Sequence, residues 1–386
     1  LKKNKNKIDI FTGKPNYPEG KFYSGFNFFN KTFDKYKSFD LLRCPVIPRY
    51  SASNLLLILN YLSFVVFGTI FIFFLIFRRY DYIFVYQTSP VTSAIPAILL
   101  SRLKKIPLII WVQDLWPETI QGTSHIKSKN IYKFIGSISK KIYNSADIIF
   151  TQSKSMKDYL KKKLNKKKNI FYLPNLTQKI IKPNNSSTFR KKLGLEKTIN
   201  IMFAGNLGDA QNLKLIINIA KKFENKNLKF LIVGTGSKFN YLEKLKKKNK
   251  LDNIILFGHK KLKQMPLYFS LADFMLITLK NKKVFTITVP NKLIAYMAAS
   301  KPIISFVNGE ASSIVKYAKC GYYINNYTFK SINNILNKVL KLKKSDLKNF
   351  STNAKNYYKK NYNHKIFYKR FLSGIKTYEN SKTNLF

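Results

Sequence analysis

From Tyr82 onward, short apolar runs alternate with longer amphipathic ones: YIFVYQ, Pro90 to Leu103, PLIIWV, Asn130 to Tyr143, DIIFTQ, Lys154 to Leu164 and NIFYLP. Apolar stretches of strand length, separated by helix-length segments, predict a parallel sheet with helices on both faces. Asn184 to Lys197, opening with NNSST, is polar and reads as a linker or the edge of a hinge. The pattern then restarts with INIMFAG, a helix near Gln211 to Phe223, KFLIVG, a helix through Tyr241 to Lys248, NIILFG, a helix near Met265 to Leu271 and DFMLITL. A helix at Asn291 to Ala299 leads to KPIISFV, and the amphipathic segments Ser345 to Lys360 and Ile366 to Tyr378 close the chain. The expected class is α/β, in two doubly wound, Rossmann-like domains facing a central cleft, because such sheets bind ligands at the carboxyl ends of their strands.

The boundaries that follow are 1–180 for the first domain, 181–197 for the linker, 198–345 for the second domain and 346–386 for C-terminal helices able to cross back to the first. A length of 386 residues agrees with two domains of ordinary size. Ile8-Asp9-Ile10-Phe11 is strand-like but has no partner upstream, so a first strand and helix read as missing ahead of it.

Ser51 to Phe77 carries no charge, and Tyr61 to Phe77 is nearly all apolar before Arg78 and Arg79. This stretch around 54–77 reaches the lower length limit of a bilayer span. Three placements are open: a helix dipped into the membrane interface, a helix buried under the sheet, or a transmembrane segment. A span would divide the alternating domain, and basic residues on both flanks give no orientation.

Composition adds a strong charge imbalance: 70 Lys and Arg against 18 Asp and Glu, a formal +52. Nucleic acid and an anionic membrane surface are the partners this charge would suit, while an A- and T-rich codon bias would produce the same lysines with no partner. The lysines are spread along the chain, with no zinc-ligand set, helix-turn-helix signal or aromatic ribonucleoprotein motif, so nucleic acid is disfavoured. Cys44 and Cys320 are the only cysteines and give no disulfide framework. His125, His259 and His364 are isolated, which argues against a histidine metal site or a Ser-His-Asp triad.

Phosphate chemistry enters at two glycine turns. Phe203-Ala204-Gly205-Asn206-Leu207-Gly208-Asp209-Ala210-Gln211 lies between a strand and a helix, where glycines let backbone N–H groups approach a diphosphate. Val233-Gly234-Thr235-Gly236-Ser237 has the same geometry, and each turn reads equally well as one without a ligand. No GxxxxGK[ST] signature is present. Further along, Pro290 ahead of a helix leaves Asn291 and Lys292 in its first turn, where a lysine either neutralises a diphosphate or merely meets solvent. In the first half Asp114 and Glu118, in QDLWPE, follow the end of a buried strand; Asp114 reads either as a base near an acceptor hydroxyl or as a helix cap. Ser89 in TSP and Asn175 in LPN are further cleft candidates.

Taken together, FAGNLGDAQNL, FLIVGTG, FGHKKLKQMPLYFSLADFMLITL, VPNKLIAYMAASKPII with the following NGE, and WVQDLWPE with YQTSP resemble glycosyltransferase family four, in its bacterial O-antigen and capsule branch containing N-acetyl-fucosaminyl transferases. The resemblance runs from about Phe11 to Tyr378. It implies a GT-B fold, a first domain for the acceptor, a second for a UDP-sugar donor, retention of anomeric configuration, no cofactor and no essential metal. It also implies a polyprenyl-diphosphate-linked saccharide as acceptor, at the cytoplasmic face of the inner membrane, for a peripheral or monotopic protein. On this reading Lys292 and Asp114 are catalytic. Gly205, Asn206, Gly208, Gln211, Gly234, Lys280, Pro290, Asn291 and Glu310 serve the donor, with Glu310 on ribose or capping the helix that follows it. Ser89, Glu118 and Asn175 serve the acceptor. The family's two glutamates, separated by seven residues, would fall at Ile287 and Ala295, and its basic pair near Asn206 and Gln211; none of these four is charged here. A UDP-sugar 2-epimerase of the same fold and a non-catalytic basic membrane protein are the alternatives.

Overall fold

The computed structural model describes residues 6–17, 19–50, 54–123, 128–164, 168–177 and 186–383. The first domain holds two sheets. In the smaller, β1 (Asp9–Gly13) pairs in parallel with β3 (Phe39–Cys44), which pairs antiparallel with β2 (Phe33–Tyr36). The partner of the first strand therefore comes from downstream, and its other edge is unpaired among the described residues. In the larger, β4 (Ile83–Gln87), β5 (Leu108–Val112), β6 (Ile148–Thr151) and β7 (Asn169–Tyr172) run parallel in that order. Every residue of β5 and β6 is buried, as strands covered on both faces require.

Between the sheets run α1 (Asn54–Phe71), α2 (Phe73–Ile76) and α3 (Ile95–Lys104). The first packs on β1, β3 and α3, so the two sheets share one helical layer. Its covered face mixes Phe64, Phe67 and Phe71 with two polar residues. Asn60 and Ser63 point inward, where Asn60 Nδ2 donates to the Ile47 carbonyl at 2.6 Å and the Ser63 hydroxyl accepts from Ile47 N–H at 2.9 Å. Leu55, Ile58, Leu62, Val66 and Ile70 point outward and are 52–65% exposed. Among the described residues no helix is long and apolar enough to cross a membrane, which overturns the transmembrane placement of 54–77. One face of α1 is packed on the smaller sheet, as a helix under the sheet requires, and the other is exposed.

The remaining helices of this domain are α4 (Glu118–Thr123), α5 (Lys129–Ser145) and α6 (Lys154–Lys163). Ser128 and Ser153 cap α5 and α6 by accepting from the N–H groups of Ile131 and Met156.

The segment read as a linker contains α7 (Ser186–Lys192). Arg190 there makes a bidentate pair with Asp273 at 2.9 Å on both nitrogens, so this helix is fastened to the second domain. That domain is one six-stranded parallel sheet in the order β10 (Ile254–Gly258), β9 (Leu228–Val233), β8 (Ile199–Ala204), β11 (Phe274–Thr278), β12 (Ile303–Phe306) and β13 (Gly321–Tyr323). The chain winds outward from β8 to β10, then crosses back to β11 and winds the other way, which places the switch point between β8 and β11. Around it lie α8 (Leu213–Lys222), α9 (Phe239–Lys248), α10 (Met265–Leu271), α11 (Lys283–Thr286), α12 (Asn291–Ala298), α13 (Glu310–Ala318) and α14 (Phe329–Leu340). The helix expected near Gln211 starts two residues later: Asp209–Gln211 is a 3-10 turn, and Asn212 takes a left-handed conformation (φ 48°) before α8 begins. Of the last two helices, α15 (Lys344–Asn361) packs on α12 and α13, while α16 (His364–Thr383) packs on β6 and β7 of the first domain. Phe371 stacks near Phe150, and the Tyr82 hydroxyl donates to Glu379 at 2.5 Å.

Candidate active site

At the switch point the two glycine turns lie against each other. Gly205 (φ +145°) and Leu207 donate their N–H groups to the carbonyls of Val233 and Thr235, both at 2.9 Å. These two N–H groups are therefore spent on the backbone and are not available to a diphosphate, contrary to expectation for the Gly205 end of the turn. A Cβ on Gly234 (φ +135°) would sit 2.0 Å from the Gly205 carbonyl oxygen, so no other residue fits there. Gly236 is under the same constraint: a Cβ would meet Asn206 Oδ1 at 2.3 Å. The Asn206 side chain thus fills the space between the turns, and also lies 3.2 Å from where a Gly208 Cβ would be.

Lys292 enters this pocket from the first turn of α12, where Pro290 stands at the N-cap. Its ammonium donates to Gln211 Oε1 at 2.6 Å, lies 3.8 Å from the centre of the Phe203 ring and sits 3.3 Å from where a Gly205 Cβ would be. Burial without a carboxylate partner pushes its pKa down to about 7. Lys280 follows β11 and is held by its N–H to the Ala210 carbonyl at 2.8 Å. With Lys238, which the sequence reading passed over, it flanks Asp209 at 3.8 and 3.3 Å. The expected donor residues Gly205, Asn206, Gly208, Gln211, Gly234, Lys280, Pro290 and Lys292 therefore gather around one turn. Three lysines and one amide there suit a diphosphate.

The first domain presents Asp114 two residues past the end of β5. Its Oδ2 accepts from the Ser89 hydroxyl at 2.8 Å, and Ser89 Oγ in turn accepts from Trp116 Nε1 at 3.1 Å. The aspartate's partner is thus a hydroxyl at the neighbouring strand end rather than a helix N–H, which removes the capping reading. Glu118 does not join this group. Its Oε1 is engaged by the Tyr159 hydroxyl and the Lys163 ammonium, both at 2.5 Å, and burial with that bond raises the Tyr159 phenol far above its usual range. Glu118 opens α4 but is turned toward α6, away from its expected place beside Asp114.

Asn175 and Asn291, assigned to acceptor and donor, contact each other across the domains through Asn175 Nδ2 and Asn291 Oδ1. Nearby, Ser153 Oγ donates to the Ile287 carbonyl at 2.5 Å, and Val289 N–H donates to Gln152 Oε1 at 3.2 Å. Ile287, where the family has an acidic residue, packs against the apolar core of the first domain, and Val284 and Phe285 lie against Gly122. Glu310 is the largest departure from expectation. It opens α13, yet its carboxylate accepts from the N–H groups of Lys154 and Ser155 at 2.9 and 2.6 Å, capping α6 of the opposite domain rather than its own helix.

Residues 185–357 match the family of group 1 glycosyl transferases. A Bacillus subtilis glycosyltransferase named for teichuronic acid biosynthesis, TuaH, is 28% identical over 216 residues; the match covers 53% of this chain and about half, 52%, of that relative's own length. An Escherichia coli glycosyl transferase named for colanic acid biosynthesis, WcaI, is 22% identical over 305 residues, covering 76% of this chain and 73% of the relative. Among solved structures, HepE from Anabaena, crystallised with UDP and glucose, superposes with a TM-score of 0.65 at 12% identity over 88% of this chain and 86% of its own. Likeness at that identity establishes the fold, which is GT-B.

Proposed function

We propose that the chain, whose residues 185–357 match the group 1 glycosyl transferases, is a retaining glycosyltransferase. In this reading it moves a sugar, N-acetylated or deoxy, from a UDP-sugar to a lipid-linked saccharide during O-antigen or capsule synthesis. The observation that carries the proposal is the Lys292 ammonium, held 2.6 Å from Gln211 Oε1 over the turn at the switch point of the sheet. The Ser89–Asp114 pair stands just past the carboxyl ends of β4 and β5 in the first domain. The relatives named for teichuronic and colanic acid and the UDP bound by HepE support the substrate class. The N-acetyl-fucosaminyl branch rests on the motif resemblance alone.

The chemistry asked of the residues is electrostatic. As the bond from the anomeric carbon to the diphosphate oxygen breaks, negative charge grows on the diphosphate, and Lys292 with the N-terminus of α12 stabilises it more in the transition state than in the ground state. The acceptor oxygen forms its bond to the anomeric carbon from the same face, and its proton passes to the departing diphosphate oxygen. Asp114, fixed by Ser89, orients the acceptor hydroxyl. No metal or other cofactor is assigned to these steps. The outward apolar face of α1 and the +52 charge are proposed to hold the protein at an anionic membrane surface, with the active site toward the lipid-borne acceptor.

The test combines the full chain with a panel of labelled UDP-sugars and a prenyl-diphosphate-linked saccharide. Transfer with retained anomeric configuration, read by NMR of the product, is the expected result. An inverted product would overturn the retaining mechanism. Turnover of a UDP-sugar without acceptor would point instead to an epimerase or hydrolase.

A further inference from the structure

Arg49 stands between the end of β3 and the start of α1, with its guanidinium between two aromatic rings, 5.7 Å from the centre of Tyr17 and 5.5 Å from that of Tyr61. Its only hydrogen bond among the described residues is a long one, from Nε to Asn60 Oδ1 at 3.5 Å. Asn60 is itself anchored to the Ile47 carbonyl. The backbone is held as well: Tyr50 N–H donates to the Gly20 carbonyl at 2.8 Å, and Gly20 adopts a φ of +79°. Among the described residues both terminal nitrogens of its fork lack a protein acceptor, and no carboxylate lies within ion-pair distance of it. An arginine so positioned is shaped for a ligand oxygen pair rather than for a structural bridge.

Its place in the fold connects it to the proposed acceptor wall. Asp9, at the start of β1, bonds to Arg78 and to Tyr80, just ahead of β4. The amino ends of β1 and β4 therefore lie together, and α1, which carries Tyr61, packs on the 3-10 turn Val91–Ala94 just past Ser89. Tyr61 reports the proximity: burial raises its phenol pKa, Arg49 lowers it and Asp114 raises it further. The loop carrying Tyr17 also carries Lys14, whose ammonium is buried without a hydrogen-bond partner. From this wall the outward face of α1 begins at Leu55 and continues through Ile58, Leu62, Val66 and Ile70.

Resting on the glycosyltransferase reading, we propose that Arg49, held between Tyr17 and Tyr61, binds a phosphate group of the lipid-linked acceptor beside the Ser89–Asp114 pair. The lipid then leaves along the apolar face of α1 into the bilayer. The arginine selects acceptors that carry phosphate between sugar and lipid, a specificity separate from that of the donor pocket.

The experiment measures binding of farnesyl diphosphate and of farnesol to the full chain in detergent micelles, with saturating UDP present so that the Lys292 pocket is filled. Wild type is expected to prefer the diphosphate. Arg49→Ala should lose about tenfold or more of that affinity, as expected for one charge-assisted bidentate contact. Arg49→Lys, which keeps the charge but not the fork, should lose less, and Arg49→Gln, which retains a donor toward Asn60, guards against a folding defect. Farnesol and UDP affinities should be unchanged in all three. Wild-type affinity for farnesyl diphosphate in a natively melting Arg49→Ala or Arg49→Gln protein, or an equal loss for farnesol, would overturn the proposal. Failure of wild type to bind UDP would instead strike the donor reading and leave the Arg49 result to stand.

Discussion

Glu310 of the second domain accepts the Ser155 N–H at 2.6 Å, closing the first turn of a helix in the first domain. A carboxylate at a helix N-terminus contributes about 1 kcal/mol through the free N–H groups and the helix dipole. Here it is a bond between domains, set beside the Ser153–Ile287, Gln152–Val289 and Asn175–Asn291 contacts. Glu310→Ala is expected to loosen the domains, seen as a larger radius of gyration in X-ray scattering without a change in helix content. An unchanged scattering profile would show that the other contacts suffice.

Lys292→Ala should lower turnover by about 100-fold, the size of one transition-state electrostatic contact, with little effect on the melting temperature. Among the described residues its one hydrogen bond is to Gln211, and its charge otherwise meets only the Phe203 ring. Near-normal transfer by the folded variant would relegate the lysine to a structural role.

The depressed pKa of Lys292, about 7 against its ordinary 10.5, makes UDP binding pH-dependent. Above pH 7 the free protein holds this lysine largely neutral, and an arriving diphosphate draws a proton onto it. Binding at pH 8 should therefore take up a proton, and affinity should fall as pH rises from 7 to 9. For stability the sign is opposite: between about 7 and 10.5 the unfolded chain binds the extra proton, so this group's contribution makes the fold more stable as pH rises. Calorimetry of UDP binding in buffers of different ionisation enthalpy measures the uptake, which Lys292→Gln should abolish.

Membrane attachment is expected to survive removal of no more than the charge term. Deleting α1 would expose β1, β3 and α3, so the informative variant is Leu62→Ser, Val66→Ser and Ile70→Ser together, all on the outward face. In high salt it should cease to float with phosphatidylglycerol liposomes, whereas wild type should remain partly bound, because screening acts on charges and not on apolar insertion. Equal flotation of the two proteins would disprove the role of this face.

Transfer is expected to persist in EDTA, since the diphosphate is to be held by lysines and a helix end. Only 18 acidic residues are present, and the described ones include no cluster of three His, Cys, Asp or Glu suited to a metal ion. Loss of all transfer, restored by one specific divalent cation, would contradict this; mild stimulation by magnesium riding on UDP would not.

The alternation of buried runs such as LIIWV and FMLIT with amphipathic helices was enough to define two parallel α/β domains, because a strand covered on both faces must be apolar along its whole length. The glycine turns were equally legible: Gly234 faces the Gly205 carbonyl so closely that only glycine fits, and both belong to local strand-to-helix turns. What the pattern of residues left open was the choice of partners. Glu310 and Ser155 stand 155 residues apart, and Lys292 and Gln211 stand 81 apart, distances over which no periodicity carries information. Glu118 and Asp114 share one strand-to-helix turn, yet one is drawn into Tyr159 and Lys163 and the other toward Ser89. In α1 the sequence supplied a helix apolar nearly all round, but only the packing of Asn60 and Ser63 against Ile47 decided which of its sides faces outward. The sequence by itself determined the layers and their turns, since those follow from the preferences of each segment. The site and the exposed face were decided by tertiary structure, because they depend on which buried polar groups find partners when the segments meet.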